Sequence, residues 1–179
     1  MTLTLVTIAV IAGLMLAELR VSVQHERRLR ERGAIQPPGD VYRALSIVYP
    51  AAFILMGIES LWRASTGGAS VAAHPGPSWF ASGLVMFVAA KWLKYWAIGT
   101  LGERWSFHVL VVPNAPLVTS GPYQYVAHPN YIAVVGEVVG TAMMVGAPLT
   151  GPAMLVVVGV VLLARIRFEN RVLSTVRRP

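Results

Sequence analysis

Five apolar stretches, separated by short polar or glycine- and proline-rich segments, constrain this chain more than any other feature. The last two share one uncharged run of 27 residues, 138–164, which turn-forming residues between Gly146 and Pro152 interrupt. About 20 apolar residues are enough to cross the hydrocarbon core of a bilayer as an α-helix. Charged residues make up 13% of the chain, against roughly 25% in soluble domains. The sequence therefore predicts an all-α, polytopic integral membrane protein with about five transmembrane helices.

The breaks between the apolar stretches predict the helix boundaries. We expect helices at residues 2–19, 41–63, 78–98, 130–145 and 152–168, with a charged helical extension at 21–33 after the first. Pro50 is expected to kink the second helix. Residues 101–130 are too polar and proline-rich to cross hydrocarbon unprotected, so we expect a cytoplasmic re-entrant or capping segment there. We interpret residues 1–179 as one domain, in which 1–98 form three transmembrane helices and 99–179 form the polar segment, a helical hairpin and the tail.

Basic residues at the helix ends predict the orientation. They form two clusters, one after the first helix and one at the C-terminus: Arg27, Arg28, Arg30 and Arg32, then Arg165, Arg167, Arg171, Arg177 and Arg178. The positive-inside rule places both clusters in the cytoplasm, which requires residues 138–164 to form a hairpin rather than one helix. The N-terminus and the uncharged loop at 64–77 are then outside, and the C-terminus is cytoplasmic. This rule accounts for the net charge of +7 without a nucleic-acid partner.

The chain contains no cysteine. Disulfides, thiol catalysis and cysteine-ligated metals are therefore excluded, and we expect no metal site. No glycine-rich nucleotide-binding motif follows a predicted strand, so any cofactor must bind to the helices and the polar segment themselves.

A polar, aromatic block precedes the fourth predicted helix. It reads P-L-V-T-S-G-P-Y-Q-Y-V-A-H-P-N-Y over residues 116–131, and Arg165 and Glu169 stand four apart on the last predicted helix. The block resembles the isoprenylcysteine carboxyl methyltransferase family, whose pattern runs roughly L-V-x-x-G-x-Y-x-x-x-x-H-P-x-Y followed by an Arg and a Glu. The likeness covers about residues 101–173 and is carried in the block by Leu117, Val118, Gly121, Tyr123, His128, Pro129 and Tyr131.

The resemblance implies a polytopic membrane enzyme that methylates oxygen with S-adenosylmethionine. It implies cofactor contacts from Ala115, Pro116, Leu117, Val118, Tyr123, His128, Pro129, Asn130, Tyr131 and Glu169. It further implies that Arg165 faces the substrate and that Arg165, Glu169 and His128 form the catalytic set. The family often has two consecutive acids where this chain has Glu169 and Asn170, which leaves Glu169 as the sole candidate carboxylate.

Each candidate residue also has an explanation without a cofactor. Tyr125, Tyr131 and Trp105 are typical of the aromatic belt at a membrane surface. Arg165 and Glu169 have the i,i+4 spacing of a simple helical ion pair. His128, just before Pro129, could be an ordinary residue at a helix start. Their joint agreement with one family pattern favours the functional interpretation.

Five further polar residues need an interpretation. Glu137 is an acid at membrane depth, where such residues usually face protein or a cavity, so we expect it to contact the substrate. His108 is a candidate for an irregular cofactor contact. Glu59 is expected to lie at the membrane interface, and His25 and His74 are expected to face solvent.

The substrate is predicted from the resemblance alone. Residues 18–34 and the block at 117–131 are similar to the bacterial branch of the family associated with alkylpyrone and alkylresorcinol methylation. This favours a lipophilic acceptor with a carboxylate or an acidic hydroxyl, in a bacterial inner membrane. A carboxylate or an acidic enol is already ionised near neutrality, so no strong general base is required for such an acceptor. Three alternatives stay open: methylation of a prenylcysteine carboxylate on a prenylated substrate, phospholipid N-methylation, and a non-enzymatic lipid-binding protein.

Overall fold

The computed structural model describes residues 1–66, 76–113 and 115–176. It contains five α-helices: α1 (Thr2–Glu31), α2 (Tyr42–Ser65), α3 (Pro77–Leu101), α4 (Pro129–Val145) and α5 (Thr150–Val176). Two short 3-10 helices, Gly102–Arg104 and Gly121–Gln124, lie between α3 and α4. These ranges hold no strand, only an isolated antiparallel bridge between Ile35 and Val111. The predicted all-α fold is confirmed.

Four helices are long and apolar enough to cross a membrane: α1, α2, α5, and α3 extended to Arg104. The fifth, α4, has 17 residues and is also apolar. At 1.5 Å per residue it is about 26 Å long, close to the thickness of the hydrocarbon core. Large apolar side chains remain exposed on the outer faces of these helices, among them Val10, Ile54, Val85 and Val156. The chain is therefore an integral membrane protein whose outer faces suit lipid.

The ends of the first and last helices differ from the predicted ranges. The first continues without a break through its charged extension to Glu31, and Gly33, at φ 79°, follows its end. The last begins at Thr150 and reaches Val176, beyond both predicted ends. The predictions for His74, Arg177, Arg178 and most of the loop at 64–77 lie outside the described residues.

Glycines allow α3 and α4 to pack closely. A Cβ atom built on Gly83 would lie 2.7 Å from the Gly140 carbonyl oxygen, and one built on Gly140 would lie 2.8 Å from the Gly83 carbonyl oxygen. Backbones that approach this closely through small residues are typical of helix pairs in membranes. The contact fixes the position of α4, which carries several of the predicted site residues.

Polar contacts join the elements at both ends of the bundle. At one end Glu59, on α2, accepts hydrogen bonds from the amides of Leu149 (3.1 Å) and Thr150 (2.7 Å) and from the Thr150 hydroxyl (2.6 Å). Its negative charge at the start of α5 stabilises the free amides of the first turn. At the other end, the loop before α2 and the segment after α3 are joined by the Ile35–Val111 bridge. The predicted site residues lie at this second end.

Candidate active site

Arg165 lies at the centre of a polar cluster formed by four parts of the chain. It is 4% exposed. Its Nε donates to the Tyr131 hydroxyl (2.8 Å) on α4 and to Glu169 Oε1 (3.1 Å), one turn further along α5. Its Nη2 donates to the carbonyl oxygen of Phe107, and its Nη1 lies 3.9 Å from Asp40 Oδ1. The guanidinium is thus fixed in one orientation.

Glu169 is held by the start of α4. The Tyr131 hydroxyl donates to its Oε1, and His128 Nδ1 lies 3.5 Å from its Oε2. The His128 ring stacks on the Tyr131 ring, with centroids 5.4 Å apart, and its Nε2 lies 3.3 Å from Asn170 Oδ1. His128 precedes Pro129, the first residue of α4, and a proline there favours both the helix start and a non-helical residue before it.

Asp40 is a site residue that the sequence analysis missed. Its Oδ1 accepts a hydrogen bond from the Tyr42 amide, and its Oδ2 accepts a hydrogen bond from the Val109 amide. Both bonds are 3.0 Å long. It therefore links the loop before α2 to the segment after α3, beside Arg165. The sequence does contain a signal for it, since Asp40 is an acid that directly follows Pro-Pro-Gly and precedes a predicted helix.

Comparison with known proteins identifies the family. Residues 83–175, about half of the chain, match the isoprenylcysteine carboxyl methyltransferase (ICMT) family. The chain belongs to this family. The matched region contains α4, α5 and the segment before them, and so contains the Arg165–Glu169 cluster. Members of the ICMT family are methyltransferases that in general use S-adenosylmethionine, and the protein is accordingly a membrane methyltransferase.

Two curated relatives match almost the whole chain. One is "Uncharacterized protein YpbQ" of Bacillus subtilis (strain 168), 28% identical over 158 residues, which are 88% of this chain and 89% of the relative. The other is an "Uncharacterized protein" of Haemophilus influenzae, 25% identical over 170 residues, which are 94% of each chain. No solved structure matches the chain.

Two buried polar atoms of this ICMT-family site suit a polar ligand. Asn130 Oδ1 and Arg165 Nη1 are buried and have no hydrogen-bond partner among the described residues. Buried polar atoms are almost always hydrogen-bonded in folded proteins. The open acceptor of Asn130 therefore fits an amino or hydroxyl group, such as S-adenosylmethionine carries, and the open donor of Arg165 fits an oxygen atom of a ligand.

The remaining predicted cofactor residues lie in the segment before α4. Ala115, Pro116, Leu117 and Val118 form an irregular stretch in which the Pro116 carbonyl accepts a hydrogen bond from Arg104 Nη1 (2.6 Å). No described hydrogen bond or ion pair joins this stretch to Arg165 or Glu169. Tyr123 is half-buried in the second 3-10 helix; burial raises the pKa of its hydroxyl above the usual value, and the charge of Glu169 raises it further.

Glu137 lies in a second cluster, fully buried between helices. Its Oε1 lies 2.7 Å from Lys94 Nζ and its Oε2 lies 3.1 Å from Lys91 Nζ. On the other side, Glu18 Oε1 lies 2.6 Å from Lys91 Nζ and Oε2 lies 3.2 Å from Lys94 Nζ. We call these four side chains the charge ring. The Tyr49 hydroxyl donates to Glu137 Oε2, so α1, α2, α3 and α4 all take part.

The charge ring corrects the sequence analysis. Glu18, Lys91 and Lys94 stand near the predicted C-terminal ends of the first helix (2–19) and the third (78–98), but α1 and α3 continue past them and all three are buried. They are tolerated at this depth because two acids and two bases neutralise one another. The charge ring also accounts for Glu137 without a substrate, so its predicted substrate contact remains a prediction.

The structure also gives the positions of the histidines and aromatic residues near the site. His25, expected to face solvent, is half-buried, with Nδ1 2.9 Å from the Trp105 carbonyl oxygen. Trp105, a candidate for the aromatic belt, is 4% exposed and packs edge-on against Phe107. Tyr125 is 73% exposed, as a belt residue would be. Among the described residues, no group of three or more metal-ligating side chains could hold an ion.

Proposed function

We propose that the protein transfers a methyl group from S-adenosylmethionine to an oxygen atom of a lipophilic acceptor embedded in the membrane. The observation that carries the proposal is the cluster of His128, Tyr131, Arg165 and Glu169 at one end of a membrane bundle of the ICMT family. We favour a hydroxyl of an alkylpyrone- or alkylresorcinol-type lipid over a prenylcysteine carboxylate.

The cofactor would be held by the segment before α4, the start of α4 and Glu169. Glu169 would accept hydrogen bonds from hydroxyl or amino groups, the His128 and Tyr131 rings would offer flat faces, and Asn130 would fill its open hydrogen bond. When bound, S-adenosylmethionine supplies an electrophilic methyl group on a positively charged sulfur. The residues assigned to this role are Ala115, Pro116, Leu117, Val118, Tyr123, His128, Pro129, Asn130, Tyr131 and Glu169.

Arg165 would bind and orient the acceptor oxygen. Its Nε and Nη2 are engaged by the protein, which leaves Nη1 as the open donor. A charge-assisted hydrogen bond from a guanidinium holds an anionic oxygen in a defined direction. Because the guanidinium is already fixed, little has to reorganise when the acceptor binds. Correct alignment of two reactants can supply about 7–11 kcal/mol of the barrier reduction.

We place the site on the cytoplasmic face of a bacterial inner membrane, with the N-terminus outside. Arg28 and Arg32 lie at this end and bind Glu103 at 2.9 and 2.5 Å, and Arg104 and Arg167 are nearby and exposed. The positive-inside rule supports this orientation. The lipid tail of the acceptor would then remain in the bilayer while its polar head reaches Arg165.

Methyl-labelled S-adenosylmethionine tests the reaction. Purified protein in detergent would be given a synthetic alkylpyrone, an alkylresorcinol and a farnesylated cysteine in parallel, and the lipid products would then be treated with base. We expect base-stable label on a hydroxyl acceptor, which marks an ether. Base-labile label on the farnesylated cysteine would instead mark a methyl ester and overturn the acceptor class. Absence of binding of S-adenosylhomocysteine would overturn the cofactor assignment.

Substitution of Arg165 tests its role. We expect Arg165→Ala to lose most turnover while it still binds S-adenosylhomocysteine, since the proposed contact is with the acceptor. Arg167→Ala removes an exposed arginine two residues along the same helix and serves as the matched control. Unchanged turnover in Arg165→Ala would contradict the proposed role.

A further inference from the structure

Glu26 and His108 form a hydrogen-bonded pair beside the candidate active site. Glu26 lies on α1 and His108 in the segment after α3; His108 Nδ1 is 2.9 Å from Glu26 Oε2. The other carboxylate oxygen of Glu26 accepts a hydrogen bond from the Ser22 hydroxyl (2.8 Å), whose oxygen accepts one from the Phe107 amide (2.8 Å). Both the carboxylate and the imidazole are therefore held in place by their neighbours.

The other ring nitrogen of His108 is open. The His108 ring lies against the Tyr42 ring, with centroids 3.9 Å apart, and its side chain is 23% exposed. Among the described residues, Nε2 has no hydrogen-bond partner. His108 lines an open cleft whose walls also include Asp40, Tyr42 and Arg43. An imidazole oriented by a carboxylate through Nδ1, with an unpartnered Nε2 on a residue that lines a cleft, is the arrangement of a general base.

The pair lies next to Arg165. Phe107, which precedes His108, accepts a hydrogen bond from Arg165 Nη2 through its carbonyl oxygen. Asp40, in the wall of the same cleft, lies 3.9 Å from Arg165 Nη1. Phe107 and Asp40 thus link the guanidinium of Arg165 to the cleft that His108 lines.

We propose that His108 is the general base of methyl transfer, with Glu26 as its positioning residue. This inference rests on the proposed function. The acceptor hydroxyl gives its proton to His108 Nε2, the electron pair of the O–H bond stays on oxygen, and that oxygen forms the new bond to the methyl carbon. The carbon–sulfur bond breaks with its electron pair on sulfur, whose positive charge is lost. His108 then releases the proton to water.

A general base at this site would favour one class of acceptor over another. A phenolic hydroxyl has a pKa of about 10, so only about one molecule in a thousand is ionised at pH 7. A carboxylate, with a pKa of about 4, is ionised without help. General-base catalysis typically contributes about 10²–10⁴-fold, which is useful only for the first kind of group. The Glu26–His108 pair therefore favours a phenolic lipid, such as an alkylresorcinol, over a carboxylate or an acidic enol.

The test compares two acceptors with the same alkyl tail, an alkylresorcinol and an alkylpyrone whose enol is already ionised. His108→Asn keeps a polar group near Glu26 but removes the base. We expect it to lower kcat for the alkylresorcinol by at least about 10²-fold at pH 7, with KM little changed. Turnover of the ionised alkylpyrone and binding of S-adenosylhomocysteine, measured by calorimetry, should change by less than threefold. His25→Asn is the matched control. His25 lies at the same end of the bundle and contacts a backbone carbonyl, but it does not line the cleft.

The pH profile separates a base from a structural residue. The charged or titratable groups around His108 are Glu26, Asp40, Tyr42, Arg43 and Arg165. The loss of kcat for the alkylresorcinol in His108→Asn, relative to the wild-type protein, should become smaller as the pH approaches 9. At that pH a larger fraction of the phenol is ionised without a base. Glu26→Gln, which removes the carboxylate that orients the imidazole, should lower kcat for the alkylresorcinol more than for the alkylpyrone.

Three results would overturn the proposal. The first is full alkylresorcinol turnover by His108→Asn at pH 7. The second is an equal loss of turnover for both acceptors, which would mark a structural role. If His108→Asn fails to fold, unchanged alkylresorcinol turnover in Glu26→Gln is decisive instead. The third is that the wild-type protein methylates neither acceptor. That last result refutes the proposed function itself, and so differs from the first two, in which the wild-type protein is active.

Discussion

The charge ring predicts a large loss of stability when one of its four charges is removed. Glu137→Gln keeps the shape of the side chain and a partner for the Tyr49 hydroxyl but removes one negative charge. Lys91 and Lys94, which have side-chain exposures of 8% and 3%, would then share Glu18 alone. One positive charge would remain uncompensated in a site that water does not reach.

The expected size of the effect follows from the geometry. Two unit charges about 3 Å apart attract by roughly 5–6 kcal/mol at an effective dielectric constant of about 20. Glu137 makes two such contacts, at 2.7 and 3.1 Å. The cost of removing the ions from water offsets much of this attraction. Removal of one partner from a buried pair typically costs about 3–5 kcal/mol, since the other charge stays buried. We expect a loss in this range.

Thermal unfolding in detergent measures the effect. A change of 3–5 kcal/mol corresponds to a decrease in Tm on the order of 10 °C for a chain of this size. Glu31→Gln is the matched control, because Glu31 pairs with Arg27 on the exposed surface (64% and 83% exposed), where an ion pair contributes little. Adding Lys94→Met to Glu137→Gln restores neutrality, and we expect the double variant to be more stable than Glu137→Gln alone.

The outcome also tests the other interpretation of Glu137. A decrease in Tm of no more than about 2 °C in Glu137→Gln, or a double variant less stable than the single one, would refute the argument from buried charge. An increase in KM for the acceptor at unchanged Tm would instead support the substrate contact predicted from the sequence.

Three smaller perturbations have equally definite expectations. Glu59→Ala removes the side-chain acceptor at the start of α5 and should destabilise the fold by about 1–2 kcal/mol, seen as a lower Tm; an unchanged Tm would contradict its capping role. Gly140→Ala places a methyl group 2.8 Å from the Gly83 carbonyl oxygen and should cost about 1–3 kcal/mol by the same measurement, whereas Gly99→Ala, in open space, should not. Tyr131→Phe removes the hydroxyl that joins the site's guanidinium and carboxylate; we expect about fivefold weaker binding of S-adenosylhomocysteine, and equal binding would exclude that hydroxyl from the cofactor site.

Apolar length and turn-forming residues predicted the helices well, because both are local properties of the sequence. The hairpin of α4 and α5 was found from the breakers between Gly146 and Pro152 together with the positions of the arginines. The start of α5 was missed by two residues, since it depends on Glu59, which caps Thr150 from 91 positions away. Such a contact has no local signature.

The residues of the candidate site were likewise predicted only in part. His128, Tyr131, Arg165 and Glu169 were predicted from family resemblance, and the structure joins them by direct contacts. Asp40 was not predicted because it reaches the site from another part of the chain.

The charge ring was also missed, although its residues carried a signal. Lys91 and Lys94 are three apart and so lie on one face of α3, and Glu18 and Glu137 supply two acids in apolar helices. Charges at membrane depth are expected to pair, so two bases and two acids in apolar helices were the available sign of a neutral cluster.

The charge ring and the active site are mechanically connected through α4. Glu137 and Tyr131 lie on this helix six residues apart, a rise of about 9 Å. Glu137 is fixed by lysines of α3 and Tyr131 by Arg165 of α5. A shift of α4 along its axis by a fraction of a turn would therefore break both sets of contacts together. The ion pairs inside the bundle thus hold Tyr131 at a constant depth relative to Arg165 and Glu169, which the proposed alignment of acceptor and methyl donor would require.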